Sequence, residues 1–282
     1  MKLSTLITAQ ELSAHLDDPG LLVVDCRFDL VDSRRGAREY AQGHIPGAVY
    51  ADLNADLSDL SKASLGRHPL PDANAFSTLL GRFGWTPQAG VVAYDDAGGA
   101  LAAARLWWML DLIGAREVAV LDGGLGAWKA AGLPLEANSP SRAATDVAVA
   151  FDTSKIVYSE QLHELRRIPQ TLILDARAAP RFRGENETID PIAGHIPGAR
   201  NRPFADNLLA DGRFKPAALL REELVEILGP HAAHDAIHSC GSGVSACHNL
   251  LAFAHAGLTG SRIYAPSWSG WISDPQNPIA RG

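Results

Sequence analysis

Cysteine is scarce in this chain. Cys26, Cys240 and Cys247 are the only three in 282 residues, an odd number that builds no disulfide framework. Free thiols suit a reducing compartment, so a cytoplasmic protein is expected. Basic charge is also short. The 25 Lys and Arg against 32 Asp and Glu leave a net charge of −7, which excludes nucleic acid as a general partner. No apolar run is long enough to span a membrane, and the opening Met1–Thr8 lacks the pattern of a secretory signal; no membrane association is expected. There is no Cys-x-x-Cys pair. His231, His234 and His238 with Cys240 fall partly in a loop and partly in a strand, so their side chains need not converge on zinc. No metal and no organic cofactor are expected. What remains is 46% hydrophobic and 20% charged, the make-up of a globular chain with one large domain or two ordinary ones.

Against that background one cysteine stands out. Cys240 opens the run Cys240-Gly241-Ser242-Gly243-Val244-Ser245-Ala246, directly after the strand-like Ala236–Ser239. A glycine-rich loop lets the backbone curl around a sulfur. The N–H groups of Gly241, Gly243, Val244 and Ser245, with the first turn of the following helix, then point at it. Such donors favour the thiolate, which is the nucleophile. This reading requires a sulfur reachable from solvent and amides aimed at it. Cys26 and Cys247 read as packing residues.

The chain also repeats itself. Leu21–Arg27 matches Thr171–Arg177, with Asp25-Cys26-Arg27 facing Asp175-Ala176-Arg177. Gly43-His44-Ile45-Pro46-Gly47-Ala48 recurs letter for letter as Gly194–Ala199, and Val91–Asp95 matches Ala236–Cys240. Each half ends in a small-residue turn closing on tryptophan, at Trp128 and at Trp268 and Trp271. A repeat this long is a duplicated domain. Domains are expected at 1–138 and 154–282, with an Ala/Ser/Pro-rich linker at 139–153. Short apolar runs such as Leu172–Leu174 read as buried strands. Gln10–Leu16, Ser159–Arg166, Leu101–Leu112 and Ala246–His255 read as helices. The alternation predicts an α/β fold, each half a parallel sheet with helices on both faces, and puts Cys240 at a carboxyl strand end, where such sheets bind ligands. Asp95 holds the matching place in the first half and has no thiol chemistry, so that half is expected to be catalytically inactive.

The Asp-x-Arg after a strand, the Gly-His-Ile-Pro-Gly-Ala motif, the Cys240 loop and the Ser267-Trp268-Ser269-Gly270-Trp271 ending together resemble a tandem-domain rhodanese sulfurtransferase, over nearly the whole chain. The Cys-Gly-Ser-Gly loop is similar to that of 3-mercaptopyruvate sulfurtransferases; thiosulfate-preferring members more often carry basic residues there. The resemblance implies two rhodanese-like domains and transfer of a sulfane sulfur from 3-mercaptopyruvate or thiosulfate, through a Cys240 persulfide, to cyanide or a thiol. A thioredoxin-like protein is one candidate acceptor. It further implies that Arg181 holds the small anionic donor, its planar fork suiting paired oxygens. The mercaptopyruvate subgroup carries a second arginine further along, but Glu187-Thr188-Ile189-Asp190 holds none; Arg183 is the candidate substitute. Ser242 is expected beside the sulfur, joined by a histidine and an aspartate from the first half. His44 matches that histidine by motif and Asp32 is the candidate aspartate. Trp268 is a candidate lining residue. His195, and the Gly-His-Ile-Pro-Gly turn in general, read as structural because both halves have them.

Two rival functions have sequence tests. Cysteine phosphatases need an arginine six positions after the nucleophile to hold phosphate; Ala246 stands there. A non-catalytic rhodanese-like regulatory or binding protein is the alternative that the intact Cys240 loop opposes.

Overall fold

The structure is a computed structural model that describes residues 3–138, 140 and 142–282. The chain forms two compact units, and neither is one continuous run. The first comprises the chain up to Asp59, Leu70–Asp152 and Leu209–Phe214; the second comprises Leu60–Pro69, Thr153–Leu208 and Lys215–Gly282.

The first unit contains β1 (Leu6–Ile7), α1 (Ala9–Ser13), β2 (Leu21–Asp25), α2 (Arg35–Gln42), β3 (Val49–Tyr50), α3 (Ala73–Arg82), β4 (Gly90–Tyr94), α4 (Ala103–Leu112), β5 (Val118–Leu121) and α5 (Gly124–Ala130). Its strands pair in parallel in the order β1-β5-β4-β2-β3. The second unit contains β6 (Ile156–Val157), α6 (Ser159–Leu165), β7 (Leu172–Asp175), α7 (Ala179–Arg183), β8 (Arg200–Asn201), α8 (Ala217–Leu228), β9 (Ala236–Ser239), α9 (Ser245–His255), β10 (Arg262–Tyr264) and α10 (Ser267–Trp271). Its order, β6-β10-β9-β7-β8, repeats the first and is again parallel throughout. Every residue of β2, β7 and β9 is buried. Successive strand residues face opposite sides, so both faces of each sheet are covered.

The repeated motifs explain one another. In the second unit Arg177 returns to the strand that precedes it, with Nε 3.1 Å and Nη2 2.7 Å from the Asp175 carboxylate, and Nη2 donates onward to Gly194 O at 2.8 Å. Arg27 makes the same bonds to Asp25 and to Gly43 O. The Asp-x-Arg pair thus fastens the Gly-His-Ile-Pro-Gly turn to the end of its own sheet. The side chains of Arg177 and Asp175 are 1% and 2% exposed; removing either partner of so buried a pair costs about 3–5 kcal/mol. His195 Nδ1 faces Phe182 O at 2.8 Å and its ring stacks on Phe182. Both halves therefore use this histidine as a packing piece.

Among its described residues, the stretch expected as a linker has no helix or strand before the short turn at Thr153, yet it is bonded along the first unit: Thr145 N–H to Gly81 O at 3.0 Å, Val149 N–H to Ser77 Oγ at 3.1 Å and Asp152 N–H to Leu112 O at 2.8 Å. Ser139 and Ser141 within it lie outside the described residues. Among the described residues no helix is long and apolar enough to cross a membrane.

Candidate active site

Cys240 follows β9 immediately, at the carboxyl end of the sheet, and α9 begins five residues later. Gly243 takes φ 78°, a left-handed conformation that glycine adopts without strain, and the curl brings its N–H to 3.1 Å from Cys240 Sγ. The turn into α10 supports the loop from the other side. Trp268 N–H donates to Cys240 O at 2.9 Å and Ser269 N–H to Gly241 O at 2.8 Å. Cys240 N–H donates to Ser267 Oγ at 3.1 Å, and this oxygen lies 3.9 Å from the sulfur. Ser267 holds φ 53°, a conformation costing a non-glycine residue about 1–2 kcal/mol. Strain of that kind is retained where the surroundings enforce it.

The sulfur is not open. Cys240 is 1% exposed, against the expectation of a solvent-reachable thiol. A Cβ placed on Gly241 would lie 3.0 Å from Arg67 Nη2 and 3.6 Å from Arg181 Nη2. Two guanidiniums thus lie against the loop at Gly241.

Both guanidiniums belong to one alternating set of charges. Arg181 Nε lies 3.0 Å from Glu187 and its Nη2 3.0 Å from Asp190 Oδ2; Arg67 Nη1 pairs with Asp190 Oδ1. Arg177 Nη1 closes on Glu187 at 3.6 Å. The Glu187 and Asp190 side chains are each 2% exposed. Burial raises the Glu187 carboxyl, but its bonds from Arg181 and from the Asp190 and Ile189 N–H groups outweigh that and hold it below the usual carboxylate range, so it stays charged.

Ser242 Oγ lies 2.8 Å from Nδ1 of His68, and both residues are buried. A hydroxyl bonded to an imidazole can hold and pass a proton. The histidine comes from Leu60–Pro69, the piece of first-half sequence that belongs to the second unit.

A family model for the rhodanese-like domain matches residues 8–131 and again 159–274. The chain belongs to the rhodanese family. It is a sulfurtransferase, as its full-length relatives are named. It is 48% identical to a probable 3-mercaptopyruvate sulfurtransferase of Pseudomonas aeruginosa, covering all of both chains. It is 39% identical to a putative thiosulfate sulfurtransferase of Mycobacterium tuberculosis, covering 98% of this chain and 97% of that one. Among solved structures, the 3-mercaptopyruvate sulfurtransferase of Escherichia coli superposes with a TM-score of 0.81 at 33% identity, covering 94% of this chain and 99% of that one. That of Leishmania major gives 0.84 at 34% identity, covering 94% and 73%.

Within the rhodanese frame the remaining expected residues fall as follows. His44 packs inside the first unit, stacked on Tyr40, with Nδ1 2.8 Å from Tyr40 O and Nε2 3.1 Å from Asn138 O. The place at Ser242 assigned to it by motif is taken by His68. Asp32 meets no histidine; it pairs with Arg38 at 2.5 Å on the surface. Arg183 pairs with Glu185, also on the surface, rather than reaching the loop. Trp268 is fully buried; its Nε1–H donates to Ile192 O at 2.9 Å and the Arg177 guanidinium stands 5.0 Å over its ring. It props the loop from beneath. Val244 caps α9 and Ser245 begins it. The histidines near β9 do not converge: His231 faces Gln170 O, His234 is exposed beside Asp235, and His238 bonds Ser261. His68, Arg67 and Asp190 escaped the motif search. Their trace in the sequence is Gly66-Arg67-His68-Pro69, a turn-like run whose counterpart in the second half, Gly212-Arg213-Phe214, keeps the glycine and the arginine but not the histidine.

Proposed function

We propose that this sulfurtransferase takes its sulfur from 3-mercaptopyruvate through a persulfide on Cys240. The observation that carries the donor choice is charge. The two guanidiniums at Gly241 are matched by Asp190 and Glu187, and the loop itself holds no basic residue. A dianion such as thiosulfate finds little net attraction there, whereas the planar carboxylate of a monoanionic donor suits a guanidinium edge.

In the first half-reaction the Cys240 thiolate attacks the thiol sulfur of the donor. The S–S bond forms, the donor's C–S bond breaks, and the electron pair passes to the carbon as the enolate of pyruvate. The proton of the transferred sulfur goes to that carbon, leaving pyruvate and an anionic persulfide. Ser242, bonded to His68, stands where it can hydrogen-bond the donor's carbonyl and relay the proton. Gly243 N–H and the start of α9 stabilise the anion. In the second half-reaction the thiolate of an acceptor takes the outer sulfur and Cys240 leaves as thiolate; cyanide would leave as thiocyanate. Covalent transfer in two halves gives ping-pong kinetics. A thioredoxin-like thiol in a reducing cytoplasm fits the acceptor role and the three free cysteines. The first unit, with Asp95 in place of the cysteine, is catalytically silent.

Side-by-side kinetics with 3-mercaptopyruvate and thiosulfate test the donor; a clear preference for thiosulfate overturns it. Arg181→Ala should raise donor half-saturation, and an unchanged value removes Arg181 from the donor site.

A further inference from the structure

The acid and base side chains around the loop alternate: Asp175, Arg177, Glu187, Arg181, Asp190, Arg67. Every interior member has an opposite charge on each side. Arg67, the last, has one. Its Nη1 is spent on Asp190, its Nε is buried with no hydrogen-bond partner among the described residues, and its Nη2 faces Gly241. A buried donor left unmet costs about 1–3 kcal/mol, so an acceptor brought to this guanidinium would be favoured. Arg181 adds a second edge: its Nη1, outside its bonds to Glu187 and Asp190, lies 3.7 Å from the same Cβ position on Gly241.

The backbone of Arg67 is fixed against the loop's own support. Gly66 runs at φ 112°, where a Cβ would strike Pro266 O at 2.7 Å and Ser269 Oγ at 3.0 Å. Arg67 N–H donates to Ser269 Oγ at 2.9 Å, and Ser269 N–H donates to Gly241 O at 2.8 Å. Two bonds therefore tie the residue after Gly66 to the residue after the nucleophile. A side chain 27% exposed on so short a tether can swing at its end without losing its place.

We infer that Arg67 is the second cation of the donor site and sets its preference for a carboxylate, with Asp190 as the positioning residue that draws Arg67 and Arg181 together over Gly241. This rests on the reading of Cys240 as the sulfur carrier. The stretch Glu187–Asp190, where the resemblance implies a second arginine, carries the acid instead, and the cation reaches the loop from Leu60–Pro69. A donor carboxylate entering between the two guanidiniums takes the N–H groups of Arg67 and the edge of Arg181 that face Gly241.

The test is steady-state kinetics with 3-mercaptopyruvate, with pyruvate as a competing monoanion and thermal unfolding as the control for folding. Arg67→Ala should raise donor KM and weaken pyruvate inhibition by about tenfold or more, with kcat and acceptor KM changed far less. Arg67→Lys should recover part of the loss. Asp190→Asn should raise donor KM less, by loosening Arg67. In Arg67→Ala/Asp190→Arg, a cation returned to the set should lower donor KM again; a merely structural Asp190 gives no such rescue. Wild-type donor KM and pyruvate inhibition in a folded Arg67→Ala overturn the inference, while sulfur uptake by the wild type under the same conditions keeps the Cys240 reading intact. Should the wild type take up no sulfur from any donor, it is the Cys240 reading that fails.

Discussion

At the end of β4 the chain places Asp95, and at the matching end of β9 it places Cys240. The surroundings are alike. Leu125 N–H donates to Asp95 O at 2.9 Å as Trp268 N–H does to Cys240 O, and Gly124 takes φ 56° where Ser267 takes 53°. The difference lies in what fills the loop. The Asp95 carboxylate accepts N–H bonds from Ala97 and Gly99 at 2.9 and 2.8 Å and from Leu101, Ala102 and Ala103 at 3.2 Å. The first unit has closed its anion nest on its own side chain. The second holds a one-atom sulfur, and a persulfide there, with two atoms beyond Cβ, would reach as far as the aspartate oxygens do. Ser267 marks the same divergence. A Cβ on Gly124 would lie 2.3 Å from Asp95 O, whereas the second unit tolerates a serine and uses its hydroxyl on Cys240.

The comparison breaks most simply at Cys240, the proposed nucleophile. Cys240→Ser should lose turnover entirely and, in intact-mass measurements after donor treatment, gain no sulfur atom. A sulfur gained elsewhere would mean that the halves are not divided as described. Next in size, Gly124→Ala should destabilise the first unit by about 3 kcal/mol or more, from the backbone clash and the left-handed φ; Ser267→Gly should change thermal stability by about 1 kcal/mol or less. Equal melting shifts for the two would show the turns to be interchangeable. Asp95→Ala orphans buried N–H groups and should cost about 2 kcal/mol, while sulfur uptake at Cys240 persists; a lost uptake would give the first unit a direct part in the chemistry.

The smallest effect depends on pH. His238 and Ala93 hold the same register position in the two sheets. Burial lowers His238 to about 3, against about 6.5 for an exposed histidine. Below 6.5 the unfolded chain therefore binds a proton that the folded chain refuses, so stability is full above 6.5 and falls as pH drops towards 3. His238→Leu should flatten this part of the unfolding curve, and an unchanged slope would show that the histidine carries none of it.

Much of this was legible in the sequence because it is local. The apolar runs around Val23, Val92, Ile173 and Ile237 gave the strands, and the doubled Asp-x-Arg and Gly-His-Ile-Pro-Gly motifs gave the duplication. The placing of Cys240 and Ser242 just after β9, and of Arg181 in α7, was legible because these residues sit in or near a motif. His68 and Arg67 were not. Their partners Ser242 and Asp190 lie 174 and 123 residues away, and spacing along a chain carries no trace of such meetings. His44 drew attention because it sits in a motif, yet the copy of that motif at His195 performs the same packing task.

The assignment of Leu60–Pro69 to the second unit bears on how this molecule can be dismantled. A fragment cut at residue 153 inherits the thiol but leaves behind the imidazole and one guanidinium. Leu209–Phe214 is counted with the first unit in the same way, so a lone C-terminal fragment should be a poor enzyme however well it folds.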